Sequence, residues 1–121
     1  MKILMIDDSK TLTKLMYDFL TMRGYDCVVA NDGYTGLSLI EMQNFDAVLL
    51  DLNMPEFDGE QIIDTLNKKK LIPGQKIILF TACNVDANFI EEQKRKGVFA
   101  CIKKPAEPDL LEQTLRSLRK C

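Results

Sequence analysis

Short apolar runs alternate with longer amphipathic segments along the whole chain. The short runs are continuous in apolar character, which is typical of strands buried on both faces of a parallel sheet and not of half-exposed strands. The longer segments repeat apolar residues at helical spacing and would cover both faces of that sheet. The pattern therefore predicts an α/β fold with five strands, at residues 2–6, 26–30, 47–50, 76–80 and 99–102.

The segments between the strands predict five helices. They are expected before Gly24, at about residues 35–43, from Asp58 to about residue 70, at about residues 85–96, and beyond Pro105 and Pro108. Asp58 and Gln61 have the spacing of a capping box at a helix start. The fourth helix carries few apolar residues beyond Phe89 and Ile90, so we expect burial to anchor it less than the others.

Composition limits the class of protein. With 46% hydrophobic residues, a chain of 121 residues can bury one sizeable core, so we expect a single domain, residues 1–121. The 16 basic and 18 acidic residues leave a net charge of -2, which provides no general attraction to nucleic acid or to an anionic membrane, and we expect neither as a partner. No apolar run approaches the ~20 residues of a membrane span, and the first residues lack a signal-peptide layout. We expect a cytoplasmic location.

The four cysteines form neither a metal-binding nor a disulfide pattern. They are Cys27, Cys83, Cys101 and Cys121, without C-x-x-C spacing, and the chain has no histidine. A structural zinc site is therefore not expected. A chain with a core of this size needs no disulfides, so scattered cysteines are expected to be small buried hydrophobes, with the terminal Cys121 as the exception.

Polar and charged side chains follow four of the five predicted strands. They are Asp7 and Asp8 after the first, Asp51 after the third, Thr81 after the fourth, and Lys103 and Lys104 after the fifth. Taken singly, each has an ordinary explanation: a helix cap, a turn hydroxyl or a solvated charge. The carboxyl ends of parallel strands meet at one edge of a sheet, however, and open α/β folds bind ligands there. We therefore expect these side chains to converge.

The predicted cluster suits phosphoryl transfer. Three crowded carboxylates repel one another, and burial raises their pKa values unless a cation compensates. Mg²⁺ is the natural partner because it binds through one or two carboxylates and keeps waters or phosphate oxygens for the rest. A lysine ammonium and a threonine hydroxyl supply donors to a phosphoryl group, and an aspartate can accept that group covalently.

These residues together resemble the receiver domain of the bacterial response-regulator family, over essentially all of the chain. The matching motifs are the acidic pair in MIDDS, the segment DLNMPEFDG around Asp51, the pair Thr81-Ala82, and the pair Lys104-Pro105. The family implies a flavodoxin-like receiver fold, which is a five-stranded parallel sheet of order 2-1-3-4-5 with helices on both faces.

The resemblance implies roles for the acidic residues. Asp51 would accept a phosphoryl group from a phosphohistidine donor. Asp8 and Asp51 would bind Mg²⁺ directly, Asp7 would bind it through water, and Asn53 would offer its main-chain carbonyl.

Two further residues are implied to act on the phosphoryl group. Thr81 would donate a hydrogen bond to it, and Lys104 would pair with it as a point charge. Lys104 is chosen over Lys103 because the family's lysine directly precedes the proline, Pro105, to which its bond is implied to be cis.

One position departs from the family: Cys101 stands where receivers usually carry a tyrosine or phenylalanine that turns inward. We therefore expect the segment after Thr81 or the fourth helix to transmit the effect of phosphorylation to the partner-binding surface.

Three other functions match parts of the pattern. A haloacid-dehalogenase-type phosphatase needs a second acid two residues after its nucleophile, where this chain has Asn53. A flavodoxin-type electron carrier needs a hydroxyl- and glycine-rich phosphate loop after its first strand, where Asp7 and Asp8 would repel a phosphate. A receiver-like module that binds partners without phosphorylation would not require the acceptor-site residues, all of which are present.

The sequence thus predicts a signalling switch and not an enzyme with substrate turnover, although it would catalyse its own phosphorylation and dephosphorylation. Its expected partners are a sensor histidine kinase or a histidine phosphotransfer protein. A downstream protein target would bind through the fourth helix, fifth strand and fifth helix. The chain ends after its fifth helix, so we expect no attached output domain.

Overall fold

The computed structural model of the chain describes residues 1–70, 76–81, 86–104 and 108–118. Within these residues, five parallel strands form one sheet in the order β2-β1-β3-β4-β5. The strands are β1 (Lys2–Ile6), β2 (Asp26–Ala30), β3 (Ala47–Leu50), β4 (Ile77–Thr81) and β5 (Ala100–Lys103). The predicted α/β fold and strand order are confirmed, and only the last two strands lie one residue later than predicted.

A helix follows each strand in the same described part of the chain. The helices are α1 (Lys10–Met22), α2 (Gly33–Met42), α3 (Gly59–Lys68), α4 (Ala87–Arg95) and α5 (Pro108–Leu118). None of them combines the length and the apolar character that crossing a bilayer requires. The predicted features at Ala82, Cys83, Val85, Pro105 and Cys121 lie outside the described residues.

The helices cover both faces of the sheet, because successive side chains of a strand point to opposite faces. On one face, Met5 and Leu49 belong to a cluster with Leu20 of α1 and with Leu111 and Leu115 of α5. On the other face, the strands form a cluster with residues of α2, α3 and α4. The two layers bury the central strands β1, β3 and β4 almost completely.

The edge strands differ from the prediction that every strand is fully buried. All residues of β3 and β4 are buried, but β2 and β5 each have only one buried residue. The sheet order places β2 and β5 at the two edges, where each strand has a neighbour on one side only. Cys27 and Cys101 lie on these edge strands as half-buried free thiols, so their predicted burial is only partly correct.

Side-chain caps set the helix starts. Asp58 accepts a hydrogen bond from the Gln61 N–H, and the Gln61 side chain accepts one from the Asp58 N–H, each at 2.9 Å. This confirms the predicted capping box. Asp32 accepts from the Thr35 N–H at 2.8 Å, so α2 begins at Gly33, two residues before the predicted position.

Helix α4 is weakly anchored, as the sequence predicts. Its one buried residue is Gln93, while Phe89 and Ile90 are half-buried. An ion pair from Lys96 to Asp64, with Nζ and Oδ1 2.7 Å apart, links the end of α4 to α3. Apolar burial thus contributes less to α4 than to the other helices.

Candidate functional site

Four charged side chains meet at the carboxyl edge of the sheet. Strands β1 and β3 pair in register up to the last residue of each, so Asp7 and Asp51 leave the sheet side by side. One oxygen from each of Asp7, Asp8 and Asp51 lies within 4.8 Å of the other two. The Nζ of Lys104 lies 3.8 Å from Oδ1 of Asp51 and pairs with Oδ2 of Asp7. The convergence expected of parallel strands is present for these four residues.

The backbone around Asp51 holds its side chain in a defined place. The Asp51 N–H donates to the Ile6 carbonyl at 3.0 Å, and the Asn53 N–H donates to the Asp51 Oδ1 at 3.3 Å. Gly59, the first residue of α3, packs against Asp51: a Cβ at position 59 would lie 2.4 Å from the Asp51 carbonyl oxygen. Only glycine allows this approach, so the start of α3 rests directly on the buried aspartate.

The surroundings of Asp51 disfavour the ionised form of its carboxyl group. Burial, followed by repulsion from Asp7 and a weaker repulsion from Asp8, raises the pKa of Asp51 to about 6. Attraction to Lys104 and the Asn53 hydrogen bond act in the opposite direction. The carboxyl group is therefore mainly ionised at neutral pH, but its charge lowers the stability of the fold unless a cation compensates.

Asp7 is held by several partners. Its Oδ1 accepts the Ser9 N–H at 2.9 Å, and its Oδ2 pairs with Lys104. Its carbonyl accepts from Asn31 Nδ2 at 2.8 Å, and the same amide donates to Thr13 Oγ1 at 3.1 Å. Asn31 was not among the predicted residues, although it directly follows β2 and so satisfies the strand-end rule that selected the acids. Asp7 is thus fixed on both its main chain and its side chain.

The donor set fits a hard divalent cation such as Mg²⁺. All three clustered side chains are carboxylates, whose oxygens such ions prefer. Asp7 and Asp51 are buried, whereas Asp8 is exposed, so an ion held here would keep a side open to solvent. The Asn53 side chain is also exposed. The main-chain N–H of Asn53 already donates to the Asp51 carboxylate.

Lys104, and not Lys103, faces the acids. The Lys104 side chain is 15% exposed, whereas that of Lys103, the last residue of β5, is exposed. Successive side chains along an extended segment point to opposite sides. Thr81 is wholly buried at the end of β4, and its carbonyl accepts the Lys104 N–H at 2.7 Å. The main chain therefore places Thr81 beside Lys104, while the predicted contact of its hydroxyl with a phosphoryl group stays a prediction.

Comparison with known proteins identifies the family of the chain. The model of the response regulator receiver domain family matches residues 3–116. The chain is 33% identical over 119 residues to the sensor histidine kinase RcsC of Escherichia coli K12, a match that covers 95% of this chain and 12% of RcsC. The chain therefore spans only a small part of the length of that relative.

Solved structures share the fold. The receiver domain of the Francisella response regulator 1452 has a TM-score of 0.88 and 28% identity, with 98% of this chain and 96% of that chain covered. The chemotaxis protein CheY4 of Vibrio cholerae has a TM-score of 0.86 and 26% identity, with 97% of each chain covered. With the family model matching nearly its whole length, the chain belongs to the response regulator receiver domain family.

Proposed function

We propose that this receiver domain is a phosphorylation-dependent switch that accepts a phosphoryl group on Asp51 from a phosphohistidine donor, with Mg²⁺, and thereby changes its affinity for a protein partner. One observation carries the proposal. A buried aspartate lies within 4.8 Å of two further carboxylates, with a lysine ammonium 3.8 Å from its own oxygen. This arrangement supplies a nucleophile, a cation site and a fixed positive charge in one place.

In the proposed transfer, one carboxylate oxygen of Asp51 attacks the phosphorus atom of the donor. A P–O bond forms while the P–N bond to the donor's imidazole breaks, and the imidazole keeps the electron pair and takes up a proton from solvent. Asp51 needs no general base, because a carboxyl group with a pKa of about 6 is mainly ionised at neutral pH. Attack by water on the same phosphorus would later break the P–O bond to Asp51, release inorganic phosphate and return the free carboxylate.

Mg²⁺ would be held by Asp8 and Asp51 directly, by the Asn53 carbonyl, and by Asp7 through water. When bound, it would neutralise the clustered acids and offset charge on the transferred oxygens. An indirect contact suits Asp7 because its Oδ1 already accepts the Ser9 N–H at 2.9 Å. Lys104 and Thr81 would donate to the remaining phosphoryl oxygens.

The partners follow from this chemistry. A sensor histidine kinase or a histidine phosphotransfer protein would supply the phosphoryl group. The relative RcsC is itself named a sensor histidine kinase, and the match with this chain covers 12% of its length. A downstream protein would bind the surface formed by α4, β5 and α5.

We place the domain in the cytoplasm as one unit of residues 1–121, with no nucleic acid or membrane partner, consistent with its net charge of -2. It would catalyse no reaction other than its own phosphorylation and dephosphorylation.

The first prediction tests the acceptor. Incubation with acetyl phosphate and Mg²⁺ is expected to add one phosphoryl group, located by mass spectrometry of proteolytic peptides to the peptide containing Asp51. Because an acyl phosphate forms, hydroxylamine should remove the group. A phosphoryl group that resists hydroxylamine, or one found on a peptide without Asp51, would contradict the assignment.

The second prediction concerns the metal. Asp8→Ala is expected to abolish phosphorylation by acetyl phosphate in the presence of Mg²⁺, because one direct ligand is lost. In metal-free buffer it should raise the free energy of unfolding by only a few tenths of a kcal/mol, since Asp8 is exposed and solvent screens its repulsion of Asp51. Urea unfolding with and without Mg²⁺ measures both effects.

Asp18→Ala is the matched control for Asp8→Ala. Asp18 is an exposed aspartate of α1 that pairs with Lys14 at 3.7 Å, away from the acid cluster. It should leave phosphorylation and the response to Mg²⁺ unchanged. Normal phosphorylation of Asp8→Ala would remove Asp8 from the metal site, and a loss of metal-free stability in that variant would contradict the repulsion argument.

A further inference from the structure

The aromatic ring of Phe80 lies beneath the ammonium group of Lys104. The Nζ atom is 5.3 Å from the ring centroid, which is within the range of a cation–π contact. Phe80 is only 7% exposed, and it lines a small cavity together with Asp7 and Asp51. The ammonium group is therefore surrounded by two carboxylates and one aromatic face.

The fold places Phe80 beside Lys104 through strand alternation. Ile78 and Phe80 point to the face of the sheet covered by α1 and α5, and Phe80 pairs with Ile102 in the register of β4 and β5. Lys104 follows two residues after Ile102 and continues on the same face. It is thus the diagonal neighbour of Phe80, at a separation that long and aromatic side chains can bridge.

The three groups around the ammonium respond differently to a metal ion. The carboxylates of Asp7 and Asp51 belong to the cluster that suits a divalent cation, and a cation bound there reduces their attraction for Lys104. The ring of Phe80 offers no oxygen to such an ion. Its attraction for the ammonium comes from the quadrupole of the ring and persists when the acids are neutralised.

We infer that Phe80 is a positioning residue that keeps the Lys104 ammonium in the cleft while a metal ion occupies the acids. The inference rests on the proposed function, because the lysine is needed there to pair with the phosphoryl group on Asp51. The ring thereby compensates for the competition between metal and lysine for the same carboxylates. A residue of similar apolar character without an aromatic face would fill the core. It would not attract the Lys104 ammonium, which could then move into solvent when a metal ion neutralises the acids.

A double-mutant cycle of Phe80→Leu with Lys104→Met tests the inference. The first readout is the affinity for beryllofluoride with saturating Mg²⁺, measured by calorimetry. Phe80→Leu should weaken this affinity by about threefold to tenfold, the range expected for a partly desolvated cation–π contact. In the Lys104→Met background, the same substitution should change it by less than about twofold, because the ring acts through the lysine.

The second readout is the urea midpoint of the four proteins without metal. The decrease caused by Phe80→Leu should be smaller when Lys104 is already methionine. This readout does not depend on phosphoryl chemistry. If the wild-type protein fails to bind beryllofluoride, the proposed function fails, while the unfolding cycle still decides whether the ring holds the lysine.

Phe45→Leu provides a matched control. Phe45 is 4% exposed, and the Nζ of Lys2 lies 5.2 Å from its ring centroid, at the opposite end of the sheet. Phe45→Leu should reduce stability without changing beryllofluoride affinity. Phe80→Met replaces Phe80→Leu if the latter does not fold. Equal effects of the Phe80 substitution in both Lys104 backgrounds would overturn the inference and leave Phe80 as a core residue only.

Discussion

Asp51→Asn is expected to abolish phosphoryl uptake and, at the same time, to stabilise the metal-free protein at pH 7 by about 2 kcal/mol. An amide cannot act as the nucleophile, so the first effect should be complete. The second arises because burial and the neighbouring acids raise the pKa of Asp51 from 3.8 to about 6. A shift of that size corresponds to about 3 kcal/mol, and solvent at the open rim of the site screens part of it.

The sign of the pH dependence follows from the direction of the shift. An acid whose pKa is higher in the folded protein than in the unfolded chain binds its proton more tightly when folded. The contribution of Asp51 to the free energy of unfolding therefore falls as pH rises from about 4 to about 7, with most of the fall before the folded pKa of about 6 is passed. Asparagine does not titrate, so Asp51→Asn should lack this fall.

Urea unfolding between pH 4 and pH 7, in buffer with EDTA, measures the difference. Asp32→Asn is the control, because hydrogen bonds from Thr35 lower the pKa of Asp32 and asparagine also caps helices well. This variant should keep the fall with rising pH. Adding Mg²⁺ at pH 7 should stabilise the wild type more than Asp51→Asn. If Asp51→Asn is no more stable than the wild type at pH 7, the ionised carboxylate of Asp51 does not destabilise the fold, and the argument from its raised pKa is wrong.

Gln93→Leu is expected to raise the free energy of unfolding by about 1–3 kcal/mol. Gln93 is wholly buried on the inner face of α4, and neither its Nε2 nor its Oε1 has a hydrogen-bond partner among the described residues. A buried donor or acceptor without a partner has lost its hydration without replacement. Leucine has a similar volume and no polar atom, so the substitution removes this penalty.

The measurement pairs urea unfolding with amide hydrogen exchange in α4. Gln113→Leu on α5 is the control, because Gln113 is exposed, and it should change stability by less than about 0.5 kcal/mol. Gln93→Leu should also slow exchange in α4, since better packing raises the free energy of local opening. A lower urea midpoint for Gln93→Leu would show that the amide is satisfied in solution.

The behaviour of α4 bears on the proposed switch. Helix α4 belongs to the surface that we propose for partner binding, and its one buried residue is polar. A helix held by so little apolar burial can shift at low cost when the site changes its charge. Slower exchange in Gln93→Leu should therefore be accompanied by a smaller response of α4 to beryllofluoride.

Local patterns in the sequence determined the architecture. The apolar runs predicted each strand to within one residue, and Asp58 with Gln61 marked the start of α3. These features depend on neighbours in the chain: side-chain alternation, helical spacing and hydrogen bonds between residues three apart. The rule that parallel strands end at one edge of a sheet also predicted that Asp7, Asp8, Asp51 and the lysines after β5 lie together. The resemblance to receiver domains then selected Lys104 over Lys103.

Tertiary structure alone decided how buried each residue is. Neighbouring acids with the same pattern differ, because Asp7 is 6% exposed while Asp8 is exposed, and equally apolar strands differ because β2 and β5 lie at the edges. The contact of Phe80 with Lys104 depends on the register of two strands, and the buried amide of Gln93 depends on how α4 packs. Burial and electrostatic coupling arise between residues far apart in the chain, so short-range patterns cannot specify their strength.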